Sequence, residues 1–294
     1  MGLQSSSWFP KRRTQPVLDQ PYRGSGEDRP QHLPLPPAML PLFRAGRLRK
    51  TWRYVSLWSP ELMICVGSVA VGPVRQEFWA VWDRAERRLW ERTRLVPCCV
   101  QLTPGRIHVR DGTVTIDVAV GEGPGVEVVT PSGGAYTWTR RKQIVRARGS
   151  VVLSGTTRPV EAVALIDDNA GYHGRHTHWQ WSGGAGHDQY GRAIAWSLIV
   201  GLNDSPTNSE RTVWVDGVPH EVGPVRFTDD LLAVAFAEGG ALGFTPEAVR
   251  ERRDNLVLIR SAYRQPFGRF VGTLPGAIRL HDAYGVMEQH TALW

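Results

Sequence analysis

Short runs of alternating apolar and polar residues, broken by turn dipeptides, follow one another along most of the chain. From Arg106 to Ala119, two such runs flank Asp111-Gly112, a pair that favours the tight turn of a β-hairpin. Val126–Thr130 and Tyr136–Arg140 flank Pro-Ser-Gly-Gly in the same way, and the pattern recurs around Asp216-Gly217. Repeated hairpin signals of this kind predict antiparallel β-structure.

Further apolar runs of strand length fill most of the sequence between these hairpins. The predicted strands are Leu62–Val71, Phe78–Trp82, Val151–Leu153, Glu161–Ile166, Thr177–Trp181, Ala193–Leu202, Thr212–Val215, Val218–Val222 and Leu256–Ser261. Phe244–Asp254 differs, because Thr245, Pro246 and Glu247 have the order that is typical of a helix start, so a short helix is predicted there. More than a dozen strands without helical periods favour an all-β fold of antiparallel barrels or sandwiches.

Residues 1–48 contain eight prolines among Gly, Ser and Arg, a composition that resists regular structure. We predict a largely irregular, Pro-rich N-terminal tail that lies over the surface, with the apolar segment Ala38–Phe43 attaching its end to the core. Residues 49–155 are then predicted to form an N-terminal β domain, and residues 156–294 a C-terminal β domain.

The chain has 35 Lys and Arg residues against 28 Asp and Glu residues, and this excess lies entirely in its first half. The basic tail lacks the interleaved aromatic residues of a single-strand binder, so no nucleic-acid partner is expected. No run of 18 apolar residues and no apolar leader occurs, which predicts no transmembrane segment and a cytoplasmic location. Cys65, Cys98 and Cys99 have neither the number of a disulfide framework nor the spacing of a zinc site.

The sequence contains no motif of a serine hydrolase, zinc protease, phosphate-binding loop or nicotinamide enzyme. Its three lysines, Lys11, Lys50 and Lys142, leave little room for Schiff-base chemistry. Hydrolase, kinase and dehydrogenase functions therefore lose most of their support.

The stretch GYHGRHTHWQWSGG, residues 171–184, concentrates three histidines and two tryptophans. In a strand, His176 and His178 share one face, and their Cα atoms lie roughly 7 Å apart, close enough to share a metal ion. No carboxylate follows within a few residues to complete such a site. Together with His173, these residues are therefore metal ligands, pocket-lining residues or a solvated sheet surface.

Trp179 and Trp181 share the opposite face of the same strand. With Trp196 and Trp214 on neighbouring predicted strands, they are either ordinary core residues or the wall of an apolar ligand cavity.

Several stretches together resemble the bacterial family catalogued as domain of unknown function 2804. The resemblance extends from about residue 50 to the C-terminus and is densest after about residue 160. The stretches are Gly171-Tyr172 with Thr177, Trp179 and Trp181; Gly201–Asn203; Asn208–Glu210 with Val213–Gly217; Asn255–Ser261; Gln265–Gly268 with Gly272 and Leu274; and Glu288–His290 with Trp294.

This family is similar to the two-domain lipocalin-like proteins that include carotenoid hydratase, tocopherol cyclase and lipocalin-like pericyclases. The resemblance implies two lipocalin-like antiparallel β-barrel or sandwich halves, with a groove or cavity for an apolar molecule. In the family pattern, other residue types are common where this chain has its histidine trio, so the trio is a local variant. We predict neither a metal ion nor another cofactor.

Such relatives imply cofactor-free proton transfer to or from an unsaturated, lipid-like molecule. That chemistry needs an acid in an apolar cavity, since burial keeps a carboxyl protonated. Glu210 is the first candidate, and Glu288 with His290 is the second; each carboxylate could instead be a surface or capping group.

Residues of several types are expected to contact the ligand. Arg175 and Arg264 could hold an acidic head group, or form ion pairs, while Asn203 and Gln265 could contact the ligand or cap turns. The predicted ligand-binding residues are Tyr172, His173, Arg175, Trp179, Trp181, Asn203, Trp214, Arg264 and Gln265.

These observations favour a lipocalin-like protein that binds an apolar terpenoid, lipid or polyketide-like molecule. One alternative is an isomerase, cyclase or hydratase that acts on such a molecule by acid–base chemistry. A weaker alternative is a metal protein with histidine ligands.

Overall fold

The structure, a computed structural model, describes residues 18–123, 125–256 and 259–294. Its first part contains thirteen strands. They are β1 (Tyr22–Gly24), β2 (Phe43–Arg44), β3 (Arg47–Leu48), β4 (Lys50–Trp58), β5 (Leu62–Val71), β6 (Val74–Asp83), β7 (Arg88–Arg94), β8 (Val100–Thr103), β9 (Arg106–Asp111), β10 (Val114–Val120), β11 (Val126–Ser132), β12 (Ala135–Leu153) and β13 (Thr156–Gly171).

The second part adds nine strands and a short 3₁₀ helix at Pro275–Ala277. The strands are β14 (His176–Asp188), β15 (Ala193–Val200), β16 (Thr212–Val215), β17 (Val218–Glu221), β18 (Val225–Phe227), β19 (Ala233–Phe236), β20 (Ala241–Leu256), β21 (Ile259–Leu274) and β22 (Ile278–Leu293). The prediction of an all-β, lipocalin-like fold is confirmed.

Two large antiparallel sheets contain all of these strands except β2 and β3, which pair with each other. The first has the order β7-β6-β5-β4-β13-β12-β10-β9-β8, with β11 paired to β12 and β1 paired to β11, and the second has the order β17-β16-β15-β14-β22-β21-β20-β19-β18. The chain passes from one sheet to the other between Gly171 and His176. Strand β13, with which the predicted C-terminal domain begins, therefore belongs to the first sheet, and the division into domains stays a prediction.

The helix predicted at Phe244–Asp254 is wrong, because this segment lies inside β20 and pairs along its length with β21. Pro246 sits at a bulge in this pairing, where a strand tolerates a residue that has no N–H. The local Thr-Pro-Glu signal is thus overridden by long-range pairing.

The single strand predicted at Leu256–Ser261 is also wrong, since Leu256 ends β20 and Ile259 begins β21, with residues 257–258 outside the described part of the chain.

Apolar side chains pack in three layers. The first sheet curls around one cluster that includes Leu57 and Ile116, and the second sheet packs around another that includes Trp196 and Phe270. A third cluster lies between the sheets and is contributed by both. Alternation along the strands builds this arrangement, because successive side chains point to opposite faces.

The tail lies against the outer part of the first sheet, where Leu18, Leu33, Leu35 and Leu40 are buried with side chains of β12. Within the apolar segment 38–43 that was expected to make this attachment, Leu40 is buried, whereas the Met39 side chain is 81% exposed. The attachment therefore uses leucines spread along the tail. Residues 1–17 of the predicted tail lie outside the described residues. No helix in the described ranges has the length and apolar character that crossing a membrane requires.

Candidate functional site

A cavity of about 160 Å³ lies between the two sheets and is lined from both of them. Trp52 and Tyr54 of β4, and Trp179 and Trp181 of β14, occupy alternate positions of their strands and face this space, so aromatic side chains form much of its wall. The aromatic wall consists of Trp52, Tyr54, Phe78, Trp179, Trp181, Tyr263 and Trp294. Trp179 and Trp181 of β14 are thus core residues and cavity residues at once.

Three of the indole rings are nearly parallel. The ring centroids of Trp52 and Trp179 are 6.5 Å apart at an interplanar angle of 7°, and those of Trp179 and Trp294 are 6.3 Å apart at 19°. The wall therefore presents a row of similarly oriented aromatic rings, a surface that suits a flat apolar molecule.

Glu288 places a carboxyl group in this apolar wall. The Trp179 indole donates a hydrogen bond of 2.8 Å to Oε1, and the Gln265 amide donates one of 2.8 Å to Oε2. Burial raises the pKa of Glu288, although the hydrogen bonds from Trp179 and Gln265 and the charge of Arg250 act in the opposite direction. The carboxyl consequently keeps its proton to a higher pH than an ordinary glutamic acid.

Arg250 and Tyr263 lie beside this carboxyl. The buried Arg250 forms an ion pair of 3.2 Å with Glu91, and its guanidinium lies 4.9 Å from the centroid of the Tyr263 ring. The Tyr263 hydroxyl is close enough to influence the pKa of Glu288, yet it meets no partner with hydrogen-bond geometry among the described residues. Burial raises the pKa of Tyr263 well above its usual range, so its O–H remains a donor.

His290 lines the same cavity. Its Nε2 lies 2.7 Å from Oγ of Ser261, and its ring centroid is 4.3 Å from that of Trp179. Burial, assisted by the charge of Arg250, lowers the pKa of His290 to about 3. The imidazole is therefore neutral near pH 7 and acts as a hydrogen-bonding group.

Glu210 does not line the cavity. It is 1% exposed, pairs with Arg141 at 2.8 Å, and accepts a hydrogen bond of 3.1 Å from the Asn203 amide. Arg141 also pairs with Asp167, and these two residues reach the cavity wall. Glu210 and Asn203 thus belong to a buried charge network directly behind the wall, and their roles toward a ligand stay predictions.

Tyr172 and His173 are buried away from the cavity. The Tyr172 hydroxyl donates a hydrogen bond of 2.7 Å to the carbonyl of Pro41, which ties the tail to the first sheet. The His173 ring lies 5.0 Å from the Trp52 ring and 2.9 Å, at Nε2, from the side-chain oxygen of Asn169. Burial lowers the pKa of His173 to about 3.

The remaining predicted residues lie outside the cavity or behind its wall. Arg175 is exposed, and Arg264 forms an ion pair of 2.8 Å with Glu251 on the surface. Trp214 is buried in the layer between the sheets without lining the cavity, and Gln265 lies behind the wall, where its amide donates hydrogen bonds to the lining residues Glu288 and Tyr54.

The histidine trio does not converge. His176 and His178 are exposed on one face of β14, as the alternation predicts, whereas His173 is buried before the strand begins. Among the described residues, the group of three ligand-type side chains that lie within 4.8 Å of one another is Glu77, Cys98 and Cys99. None of the three histidines belongs to it.

Sequence reasoning did not identify Arg250, which lies beside Glu288, or the aromatic wall residues Trp52 and Tyr54. Arg250 was assigned to a helix, and Trp52 and Tyr54 lie more than 100 residues before the strands they face. One signal was present, since Arg250, Arg252 and Asp254 occupy alternate positions and all line the cavity in β20.

Comparison with known proteins supports the fold. A protein from Nitrosomonas europaea with the provisional name AttH has a TM-score of 0.53 at 15% identity, over 82% of this chain and 92% of that chain. Kievitone hydratase from Nectria haematococca has a TM-score of 0.49 at 10% identity, over 82% and 88% of the two chains. The structure of CghA with Sch210972 has a TM-score of 0.42 at 11% identity, over 83% and 88%.

At such identities the first of these likenesses shows a shared fold alone. No protein with a curated description matches the sequence. The family resemblance seen in the sequence is confirmed, because the family's sequence profile matches residues 100–294, more than half of the protein. The chain belongs to the family described as Domain of unknown function (DUF2804).

Proposed function

We propose that the protein binds an apolar small molecule, of the terpenoid, lipid or polyketide-like class, in the cavity between its sheets. The observation that carries this proposal is the cavity itself. Protein interiors are packed with few voids larger than a water molecule, so a space of about 160 Å³ with an aromatic wall offers room for a small apolar ligand.

The shape and the polar groups of the cavity narrow the ligand class. The parallel rings of Trp52, Trp179 and Trp294 favour a flat or conjugated apolar body. The Tyr263 hydroxyl lies beside Glu288 without good hydrogen-bond geometry to any described residue, which favours an oxygen acceptor on that body, since a buried donor that is poorly satisfied is costly. Arg250 is already paired with Glu91, which favours an uncharged oxygen over a carboxylate.

Quenching of tryptophan fluorescence by β-ionone, a flat terpenoid ketone, tests the binding proposal. The wild-type protein should be quenched saturably, and Trp52→Ala should weaken binding by about tenfold through lost ring contact. Trp90→Ala is the matched control, because Trp90 packs outside the cavity under Arg88. Equal affinities of the two variants, or no saturable quenching of the wild type, would argue against a ligand in this cavity.

A second candidate function is cofactor-free isomerisation, cyclisation or hydration of the bound molecule. Its specific support is Glu288, a carboxyl whose pKa is raised inside an apolar cavity. The Glu288 O–H would protonate an unsaturated carbon, and Trp179, Gln265 and Arg250 would stabilise the resulting carboxylate. That carboxylate would then take a proton from a neighbouring carbon or from an attacking water, which restores the acid.

Deuterium exchange separates an enzyme from a carrier. With β-ionone in D₂O, an acid–base enzyme should place deuterium on ligand carbons, as seen by NMR, and Glu288→Gln should abolish the exchange while ligand quenching persists. If the wild type binds β-ionone without any deuterium exchange, the result would favour a carrier over an enzyme. Undiminished deuterium exchange in Glu288→Gln would show that Glu288 is not the acid.

The cellular location of the protein is inferred from its cysteines. Cys65, Cys98 and Cys99 are all free thiols, which is typical of a reducing compartment and supports a bacterial cytoplasmic protein. We expect its partner to be a small apolar molecule, with no nucleic acid involved.

A further inference from the structure

We propose that Glu77, Cys98 and Cys99 form a binding site for a thiophilic divalent cation such as Zn²⁺ or Cd²⁺. One ligand atom of each residue lies within 4.8 Å of the other two. This cluster is separate from the ligand cavity, and the proposal does not depend on the function proposed above.

The fold builds the cluster from two distant stretches of sequence. Glu77 lies in β6, beside the strand β7 that leads into the segment containing both cysteines. Its Oε1 accepts hydrogen bonds of 2.7 Å and 2.6 Å from the backbone N–H groups of Cys98 and Cys99. One carboxylate oxygen therefore fixes the backbone from which both thiols extend.

The carboxylate of Glu77 has no cationic partner among the described residues. The residue is 3% exposed and forms no ion pair with any described residue. Its cross-strand neighbour Arg94 instead makes a bidentate contact with Asp111. Buried carboxylates are normally paired with a cation or bound to a metal. Two backbone N–H groups alone offset only part of the cost of removing this carboxylate from water. The second oxygen, Oε2, accepts no hydrogen bond from the described residues and remains open to a ligand.

The donor atoms select the kind of cation. Two sulfurs and one carboxylate oxygen suit Zn²⁺ or Cd²⁺ and suit Mg²⁺ or Ca²⁺ poorly. In a tetrahedral zinc site, bonds of about 2.3 Å to sulfur and 2.0–2.2 Å to oxygen place ligand atoms about 3.5–3.8 Å apart. Rotation of the cysteine side chains can supply the contraction from 4.8 Å. Cys98 is exposed, which gives a cation access and leaves a fourth position for water.

Titration of the full-length, reduced protein with Cd²⁺ alone tests the site through the ultraviolet charge-transfer band of cadmium thiolates. One equivalent should bind to the wild type. Cys98→Ser and Cys99→Ser should each weaken binding by about 100-fold or more, because each removes a ligand. Cys65→Ser is the matched control, since Cys65 is buried between the sheets and should leave the titration unchanged.

Glu77→Gln examines the carboxylate separately. The glutamine carbonyl can still accept both backbone hydrogen bonds, so the loop is retained while the anionic ligand is lost, and affinity should fall about tenfold or more. A wild type without a charge-transfer band, or serine variants that bind as tightly as the wild type, would overturn the proposal.

A measurement on the wild type alone covers the case in which the variants do not fold. Stoichiometric Zn²⁺ should protect Cys98 and Cys99 from alkylation by iodoacetamide, as read by peptide mass spectrometry, and a chelator should reverse the protection. Alkylation at an unchanged rate would refute the site.

Discussion

The indole N–H of Trp179 and the carboxyl of Glu288 are joined by a hydrogen bond of 2.8 Å within the second sheet. Trp179 therefore has two roles, since its ring forms cavity wall and its N–H holds the buried acid. Because the donor favours the ionised form of the carboxyl, Trp179 moderates the rise in pKa that burial causes.

Trp179→Phe keeps a ring in the wall and removes this donor. We expect the pKa of Glu288 to rise further, because the lost hydrogen bond favoured the ionised form of the carboxyl. Carbon-13 NMR of labelled glutamate carboxyls measures the change. Trp181→Phe is the control, because the Trp181 indole donates to Ser197 and not to Glu288. An equal shift in both variants would contradict this assignment.

Glu210→Gln should act on stability. The variant removes one of the two carboxylates beside the buried Arg141 and leaves the pair with Asp167, so the free energy of unfolding should fall by about 1.5–3 kcal/mol, the value of a charged hydrogen bond. Glu161→Gln removes the partner of Arg148 at the surface and should cost less than about 1 kcal/mol. Urea unfolding of both variants measures the difference. Unchanged stability of Glu210→Gln together with lost deuterium exchange would instead favour Glu210 as the acid.

The sequence predicted those features that are local. Asp111-Gly112 sits at the turn between β9 and β10, and Leu62–Val71 coincides with β5, because turn chemistry and alternation act over a few residues. Trp179 and Trp181 were placed on the inner face of a strand for the same reason. The cavity that they face depends on which distant strands lie opposite, and alternation carries no information about that.

The features that sequence reasoning missed are long-range. Arg250 was hidden by a helix-start signal that pairing between β20 and β21 overrides. Glu77 lies more than 20 residues before Cys98, so ligand spacing could not connect them. Sequence reasoning named Glu210 as the first candidate acid and Glu288 as the second, since it could not show that Arg141 lies beside Glu210 and an apolar cavity beside Glu288.

Leu35→Ala should destabilise the protein, although Leu35 lies in a tail with little regular structure. Its side chain is buried with Tyr136 and Tyr172, and truncation of a buried leucine costs about 2–5 kcal/mol. Met39→Ala is the control, since that side chain is 81% exposed and its loss should cost less than about 0.5 kcal/mol. Thermal unfolding separates the two. Similar melting temperatures would show that the tail is not part of the folded unit.

Acidification should destabilise the fold through the buried His173 and the partly buried His290. The pKa of His173 and of His290 is lowered to about 3 by burial, whereas an unfolded histidine titrates near its ordinary value of about 6.5. As the pH falls below about 6.5, the unfolded chain takes up protons that the folded chain does not, so the free energy of unfolding decreases. The stabilisation is complete above that pH and is lost progressively toward pH 3.

Between about pH 6.5 and 4.5, each of these histidines should account for about 2 kcal/mol of lost stability. Urea unfolding of His173→Gln and His290→Gln at several pH values measures this, because each variant should have a flatter pH dependence than the wild type. Comparing each variant with the wild type cancels the contributions of the titratable groups that both contain. These include Glu288, whose raised pKa changes stability with pH in the opposite direction. His176→Gln, which replaces an exposed ring, is the matched control. A wild-type slope in His290→Gln would mean that its imidazole reaches solvent through the cavity and titrates as it does in the unfolded chain.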